Sequence, residues 1–328
     1  SYYYDKLYII IMKILVTGCC GFIGTNLCLR LLNDTTNEIY GIDNFTDNYD
    51  PSFKRNNEKE LRAFKNFHLL EVDILQFTEM NNITPDMVIH LASIPGVRKS
   101  LEDPLYYVKN NIEAFVYLLE QCKINNIKKV IYASSSSVYG ANDKIPFSEN
   151  DEIVKLKSSY ACSKKCMEVY GKYYNDVFDM SVIGLRFFTV YGMRGRPDMA
   201  PYMFVKKIAE GDTIKQFGDG SSYRDYTFVE DIVNGIISLI NGNGKSGEIY
   251  NLGNNKPISL KDFIKLCERI VGKKANIEII ENQLGDVPRT FADITKAQND
   301  LNYTPRTSLE TGLKLMFEWM IEKKRISI

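Results

Sequence analysis

An apolar run from Lys13 to Thr17 turns through three glycines, Gly18, Gly21 and Gly24, into a stretch carrying Leu27, Leu29, Leu31 and Leu32. The run predicts a buried strand and the leucine-rich stretch a helix. A strand, a glycine turn and a helix N-terminus form a natural seat for a pyrophosphate. Exposed backbone N–H groups and the helix dipole both favour an anion there, and the missing side chains let it approach. The glycine spacing alone is equally compatible with a tight turn, and the strand and helix around it give it weight.

Strand-like runs recur at Glu38–Asp43, His68–Asp73, Met87–Ala92, Lys129–Ser134 and Met180–Phe187, with helix-like runs between them. Such alternation predicts an α/β fold: a Rossmann-type, doubly wound parallel sheet with a smaller α/β substrate-binding lobe. The expected division is a dinucleotide-binding domain over 12–187 and a second lobe over 188–328, with the segment near 225–254 returning to the first. Residues 1–11 read as an N-terminal extension. Beyond residue 190, Gly- and Pro-rich loops separate short helices at Pro201–Glu210, Leu260–Val271 and Ser308–Ile321. Asp43 closes the second strand about twenty residues after the glycine turn, where a carboxylate accepts both ribose hydroxyls of NAD and repels a 2′-phosphate. The expected cofactor is therefore NAD rather than NADP.

The 328 residues carry 41 basic and 41 acidic side chains, so no net field draws in nucleic acid or an anionic membrane. The longest apolar stretch, Leu7–Val16, is too short to cross a bilayer, and no signal peptide is evident, so a cytoplasmic location is expected. Seven cysteines without framework spacing read as free thiols. His68 and His90 are the two histidines, both in apolar strand-like runs; neither a Ser-His-acid triad nor a metal site is expected.

Tyr160 and Lys164 stand four apart in a helical segment and so share a face. A phenol titrates near ~10, and a neighbouring ammonium and a positive nicotinamide favour its phenolate, so Tyr160 is a candidate base. Ser134, Ser135, Ser136 and Ser137 close a strand, at the edge where side chains of such sheets face a ligand crevice.

These features, with Asp73-Ile74, His90-Leu91-Ala92, Ser135-Ser-Ser-Val-Tyr-Gly140 and Arg224-Asp225-Tyr226, resemble the extended short-chain dehydrogenase/reductase family over residues 12 to about 322. Within it, Leu185–Ala200, Gly96-Val97-Arg98 and Gly285–Asp293 are similar to UDP-glucuronate 4-epimerases, which interconvert UDP-glucuronate and UDP-galacturonate through a 4-keto intermediate. The resemblance implies Ser135, Tyr160 and Lys164 as the catalytic set. It implies cofactor contacts from Gly18, Gly21, Phe22, Ile23 and Gly24, from Asp43, Asn44, Asp73 and Ile74, and from Leu91, Ala92, Asn110 and Ser134, with Tyr160 and Lys164. For the UDP-sugar it implies Arg98, Ser136, Ser137, Thr189, Arg196, Arg224 and Arg289, with Ser136, Ser137, Thr189 and Arg196 clamping the sugar carboxylate. It also implies a homodimer through the helices near 104–123 and 159–175.

Sugar 4,6-dehydratases carry Thr-Asp-Glu where this chain has Ser135-Ser136-Ser137, and UDP-xylose-forming decarboxylases usually keep a glutamate at the Ser137 position. The chain departs from the epimerase pattern at Ser135 (more often threonine), Met193 (proline) and Ala92-Ser93-Ile94-Pro95 (Ala-Ala-Gln-Ala), with Met193 and Pro95 expected on the substrate side. The alternatives are a decarboxylase or 4,6-dehydratase of a UDP-sugar, a 4-epimerase of another UDP-sugar, and a non-catalytic NAD-binding regulatory protein.

Overall fold

A computed structural model describes residues 11–33, 37–153, 155–282 and 287–326. The first ten residues of the expected N-terminal extension, and Gly285 and Asp286 of the quoted motif, lie outside the described residues. The strands in chain order are β1 (Met12–Thr17), β2 (Asn37–Asp43), β3 (Phe67–Glu71), β4 (Met87–His90), β5 (Lys129–Ser135), β6 (Ser181–Phe187) and β7 (Thr189–Tyr191). They continue as β8 (Thr213–Phe217), β9 (Tyr223–Arg224), β10 (Tyr226–Phe228), β11 (Ile249–Leu252), β12 (Ile258–Ser259) and β13 (Asn276–Ile280).

Seven of them form one parallel sheet in the order β11-β6-β5-β4-β1-β2-β3. Helices cover both faces of such a sheet, so its inner strands are apolar without alternation. Ile14, Leu15, Val16, Val88, Ile89, Val130 and Ile131 fit that rule and are buried. Each such side chain contributes roughly 1.5–3 kcal/mol of burial free energy. The chain runs outward from β1 through β2 to β3, then returns across β1 to β4. The reversal opens a crevice beyond the carboxyl ends of β1 and β4, where ligands of open α/β sheets bind.

The helix Phe22–Leu32 follows β1, and its buried Leu27, Leu31 and Leu32 join the core cluster that includes Ile232 and Ile236 of the helix Val229–Ile240. That later helix and β11 bring residues beyond 225 back against the main sheet. A separate cluster packs Phe204, Val205 and Ile208 of the helix Ala200–Glu210 against Phe263 of the helix Leu260–Val271 and Leu313 and Met316 of the helix Leu309–Glu322. The paired strands β8 and β13, β7 and β10, and β9 and β12 belong to three two-stranded sheets. Of the histidines, His90 is wholly buried, whereas His68 lies on edge strand β3 and pairs with Glu38 at 2.6 Å.

Candidate active site

The turn between β1 and the helix Phe22–Leu32 is shaped by its glycines. Gly18 has φ +69°, and a Cβ on Gly24 would sit 2.1 Å from the Gly18 carbonyl oxygen. No side chain therefore fits between turn and helix. Gly21 caps the helix without a side-chain hydrogen bond, and the first turn holds no acidic residue. Its backbone N–H groups are left for an anion, and Gly21, Phe22 and Ile23 line a cavity of about 460 Å³.

Asp43, at the end of β2, is buried in the same wall. Its two oxygens accept the Cys20 N–H at 3.0 Å and the Phe45 N–H at 2.9 Å, which fixes the carboxylate plane. Burial raises its pKa, and the nearby Lys54 and the two backbone bonds oppose that rise. Asp73 is held similarly by the Leu75 N–H and the Asn44 side-chain amide. Asn44, Ile74, Leu91, Ala92, Asn110 and Ser134 also face the cavity. A glycine cradle, an uncapped helix end and a braced carboxylate suit a dinucleotide. Cys19, Cys20 and Asp43 bring ligand-type atoms within 4.8 Å of one another, but both Asp43 oxygens already accept backbone N–H groups. The seven cysteines are free thiols.

Ser158 caps the helix Ser159–Phe178 by accepting the Ala161 N–H at 3.0 Å, which sets Tyr160 in the first turn and Lys164 one turn on. Tyr160, Lys164, Ser135, Ser136 and Ser137 converge on the cavity. Lys164 Nζ lies 5.9 Å from the centre of the Tyr160 ring. It donates to Ser93 Oγ at 2.9 Å and to the Ala133 carbonyl at 2.8 Å. Burial lowers the Lys164 pKa to about 7. The sequence expectation that the ammonium lowers the Tyr160 pKa does not describe this balance. Burial dominates and raises the phenol, with the Ser135 hydrogen bond and Arg196 pulling the other way.

Arg196, Thr189 and Arg224 line the cavity. The Arg196 guanidinium grips Asp198 in a fork, Nε at 3.0 Å and Nη2 at 2.5 Å. Its charge also favours the phenolates of Tyr49, Tyr107 and Tyr160, so one cation serves a cluster of phenols. Arg98 and Arg289 are not in the wall. Arg98 stacks on the Phe217 ring at 3.9 Å, and Arg289 donates to the Asp143 carbonyl. Of the two departures expected on the substrate side, Pro95 is in the wall and Met193 is not. Met193 packs against the cluster of Phe204, Phe263 and Leu313 instead, and its carbonyl accepts from the Asn26 amide.

Lys54, Tyr49 and Asn48 join the cavity wall without having been singled out in the sequence. The signal lies in the helix Ser52–Leu61, whose buried positions are Lys54, Asn57 and Leu61. A core-facing stripe that is mostly polar marks a helix packed on a site rather than on apolar core. Lys54 donates to the Thr46 carbonyl and hydroxyl, and Asn57 donates to the Cys20 carbonyl, bracing the glycine turn.

Residues 14–253 match the model of the NAD dependent epimerase/dehydratase family. The chain is 41% identical to the UDP-glucuronate 4-epimerase of Thermodesulfobacterium geofontis, over 94% of this chain and 96% of that protein. It is 40% identical to UDP-glucuronate 4-epimerase 4 of Arabidopsis thaliana, over 94% of this chain and 75% of that one. Its fold superposes with a TM-score of 0.90 on the UDP-glucuronic acid 4-epimerase of Bacillus cereus in complex with UDP-glucuronic acid and NAD, at 36% identity over 95% of this chain and 100% of the other. A glycine-cradled crevice, a tyrosine and lysine one turn apart, and this likeness along nearly the whole chain agree: the protein belongs to the NAD-dependent epimerase/dehydratase family.

Proposed function

We propose that this protein is an NAD-dependent epimerase that interconverts UDP-glucuronate and UDP-galacturonate at C4 of the sugar. The observation that carries the reading is the composition of one cavity wall, where Tyr160 and Lys164 stand beside Ser135, Ser136, Ser137, Thr189 and Arg196. Neutral hydroxyls and a guanidinium suit a carboxylate, which acidic side chains in that stretch would repel. The dinucleotide would be held by the uncapped helix end at Gly21–Gly24, by Asp43 at the ribose, and by Asp73, Ile74, Leu91, Ala92, Asn110 and Ser134. When bound, NAD supplies the hydride acceptor and donor for C4.

Tyr160 takes the proton of the 4′-hydroxyl and returns it after the 4-keto sugar has turned over in the site. Ser135 shares the hydrogen bond to that oxygen. The Ser135 hydrogen bond and the Arg196 charge offset the burial penalty on the phenolate, and the Lys164 ammonium contacts the ribose. A 4-keto uronic acid is a β-keto acid prone to lose carbon dioxide, and a carboxylate held by Ser136, Ser137, Thr189 and Arg196 is kept from that path. Arg224 is assigned to the diphosphate. Arg98 and Arg289, outside the wall, are assigned to the substrate only through the family resemblance.

A homodimer is the proposed assembly. Val169, Tyr170, Tyr173 and Val177 form an exposed apolar face on the helix Ser159–Phe178, and Leu105, Tyr106 and Val108 form another nearby. Such patches mark protein–protein contacts. Free thiols throughout fit a reducing compartment such as the cytoplasm. Among the described residues no helix is long and apolar enough to cross a membrane.

The test is to incubate the protein with UDP-glucuronate, UDP-glucose and UDP-N-acetylglucosamine and resolve the products by NMR. UDP-galacturonate from the first is the expected result. A UDP-pentose as the main product would replace epimerisation by decarboxylation, and turnover of neutral sugars alone would remove the uronic acid from the assignment.

A further inference from the structure

Lys164 is only 1% exposed, yet its hydrogen bonds run to two neutral acceptors, Ser93 Oγ and the Ala133 carbonyl. An ammonium has three N–H groups, and these acceptors take two of them at the wall of the cavity that Lys164 and Ser93 both line. The Ala133 carbonyl belongs to β5, whereas Ser93 belongs to the loop leaving β4. The two bonds therefore stretch Lys164 between adjacent strands at the carboxyl edge of the sheet. The backbone carbonyl is present whatever residue stands there; the hydroxyl exists only because residue 93 is serine.

We propose that Ser93 is a positioning residue, whose hydroxyl holds the Lys164 ammonium in place and favours its charged form beside Tyr160. The inference rests on the tyrosine–lysine reading of the site and adds to it a residue outside the expected catalytic set. A hydrogen bond to a buried charge is among the stronger ones, and its loss leaves the charge less well solvated. Burial brings Lys164 down to about 7, so a modest change at Ser93 moves it across the neutral range. The groups that face Lys164 leave that range clear. His90, at the end of β4, is pushed down to about 3 by burial and by Lys164 itself, so it is neutral throughout. Tyr160, on the same helix, is raised above the ordinary phenol value, and Arg196 acts on Tyr160.

Removing the hydroxyl destabilises the ammonium, lowers the Lys164 midpoint and moves the alkaline limb of any function that needs the charge to lower pH. The experiment is a pH titration of the full chain grown with lysine labelled with ¹³C at Cε, the Lys164 signal being identified by its loss in Lys164→Met. Ser93→Ala should lower the Lys164 midpoint by about one pH unit, and Ser93→Thr should restore it. Turnover of UDP-glucuronate should show the same displacement of its alkaline limb. An unchanged Lys164 midpoint in Ser93→Ala, a loss of turnover equal at every pH, or failure of Ser93→Thr to restore the midpoint would overturn the inference. The parent reading fails separately, if Tyr160→Phe keeps its turnover, and the NMR midpoint remains readable in that case.

Discussion

Arg186 and Arg196 each hold a carboxylate through two hydrogen bonds, but they belong to different kinds of structure. Arg186 lies on β6, is 3% exposed at its side chain, and grips Glu168 of the helix Ser159–Phe178 with Nε at 2.7 Å and Nη2 at 2.8 Å. Glu168 also accepts the Ser134 hydroxyl, so this pair joins β5, β6 and the helix that carries Tyr160 and Lys164. Arg196 sits in the loop after β7, and its partner Asp198 is 40% exposed and two residues away. The first pair is locked between separate elements and sealed from water, which makes it a brace. The second is local and wet, so another carboxylate can exchange with Asp198 at modest cost. The sheet edge holds the catalytic groups rigid, and the loop keeps a cation available.

The sharpest break of this contrast is Glu168→Gln. It leaves a buried guanidinium without its counter-charge and should cost ~3–5 kcal/mol of unfolding free energy, read by urea denaturation. The pH dependence follows the same pair. Burial raises the Glu168 pKa, but the hydrogen bonds and charge of Arg186, with the Lys165 charge and the Ser134 hydroxyl, outweigh it and the net shift is downward. The pair's contribution is thus complete above the ordinary glutamate value of 4.5 and is lost as pH falls below it through the lowered folded value. The Gln variant should lack that acid-linked component. Little loss of stability in Glu168→Gln would erase the distinction between brace and clamp.

Tyr160→Phe comes next. Turnover should fall at least ~100-fold, the usual scale for a positioned proton acceptor, while NAD content of the purified protein, measured after denaturation, stays unchanged. Arg196→Ala should lose about ten- to a hundred-fold against UDP-glucuronate, from charge-assisted bonds of roughly 1.5–3 kcal/mol. Any activity on UDP-glucose, which depends on Arg196 only through its charge beside Tyr160, should fall less, and the variant should release some UDP-4-keto-pentose. Its melting temperature should match the parent's, in contrast with Glu168→Gln. Smallest of all, Arg269→Ala removes an exposed link from the helix Leu260–Val271 to Glu310 of the helix Leu309–Glu322 and should change stability by less than ~1 kcal/mol. A larger loss would show that exposed pairs act as braces too.

The sheet half was legible because its signals are local. Gly18 and Gly24 are demanded by backbone geometry, the inner strands are continuous apolar runs, and Tyr160 and Lys164 share a helix face by spacing alone. The predicted ends of β3 and β4 ran two residues too far, since Val72-Asp73 and Leu91-Ala92 leave the ladder to line the cavity. The loop-borne wall was harder to read. Arg98, Arg196 and Arg289 look alike as letters, yet one stacks on Phe217, one faces the cavity and one reaches the Asp143 carbonyl. Met193, expected on the substrate side, packs instead against the cluster of Phe204 and Phe263. Lys54 escaped notice because a lysine in a polar helix reads as solvated until the fold buries it.

The parallel sheet, the dinucleotide turn and the candidate base can be read from the residues alone, because each rests on short-range periodicity or on what a backbone without side chains can do. The electrical state of that base, and which arginines face the cavity, depend on the folded arrangement. Burial and long-range neighbours set both. Tyr160 is raised by the walls around it, Lys164 is brought down to about 7 by the same walls, and its acceptors come from residues 93 and 133. Those groups lie far apart along the chain, and folding is what makes them neighbours.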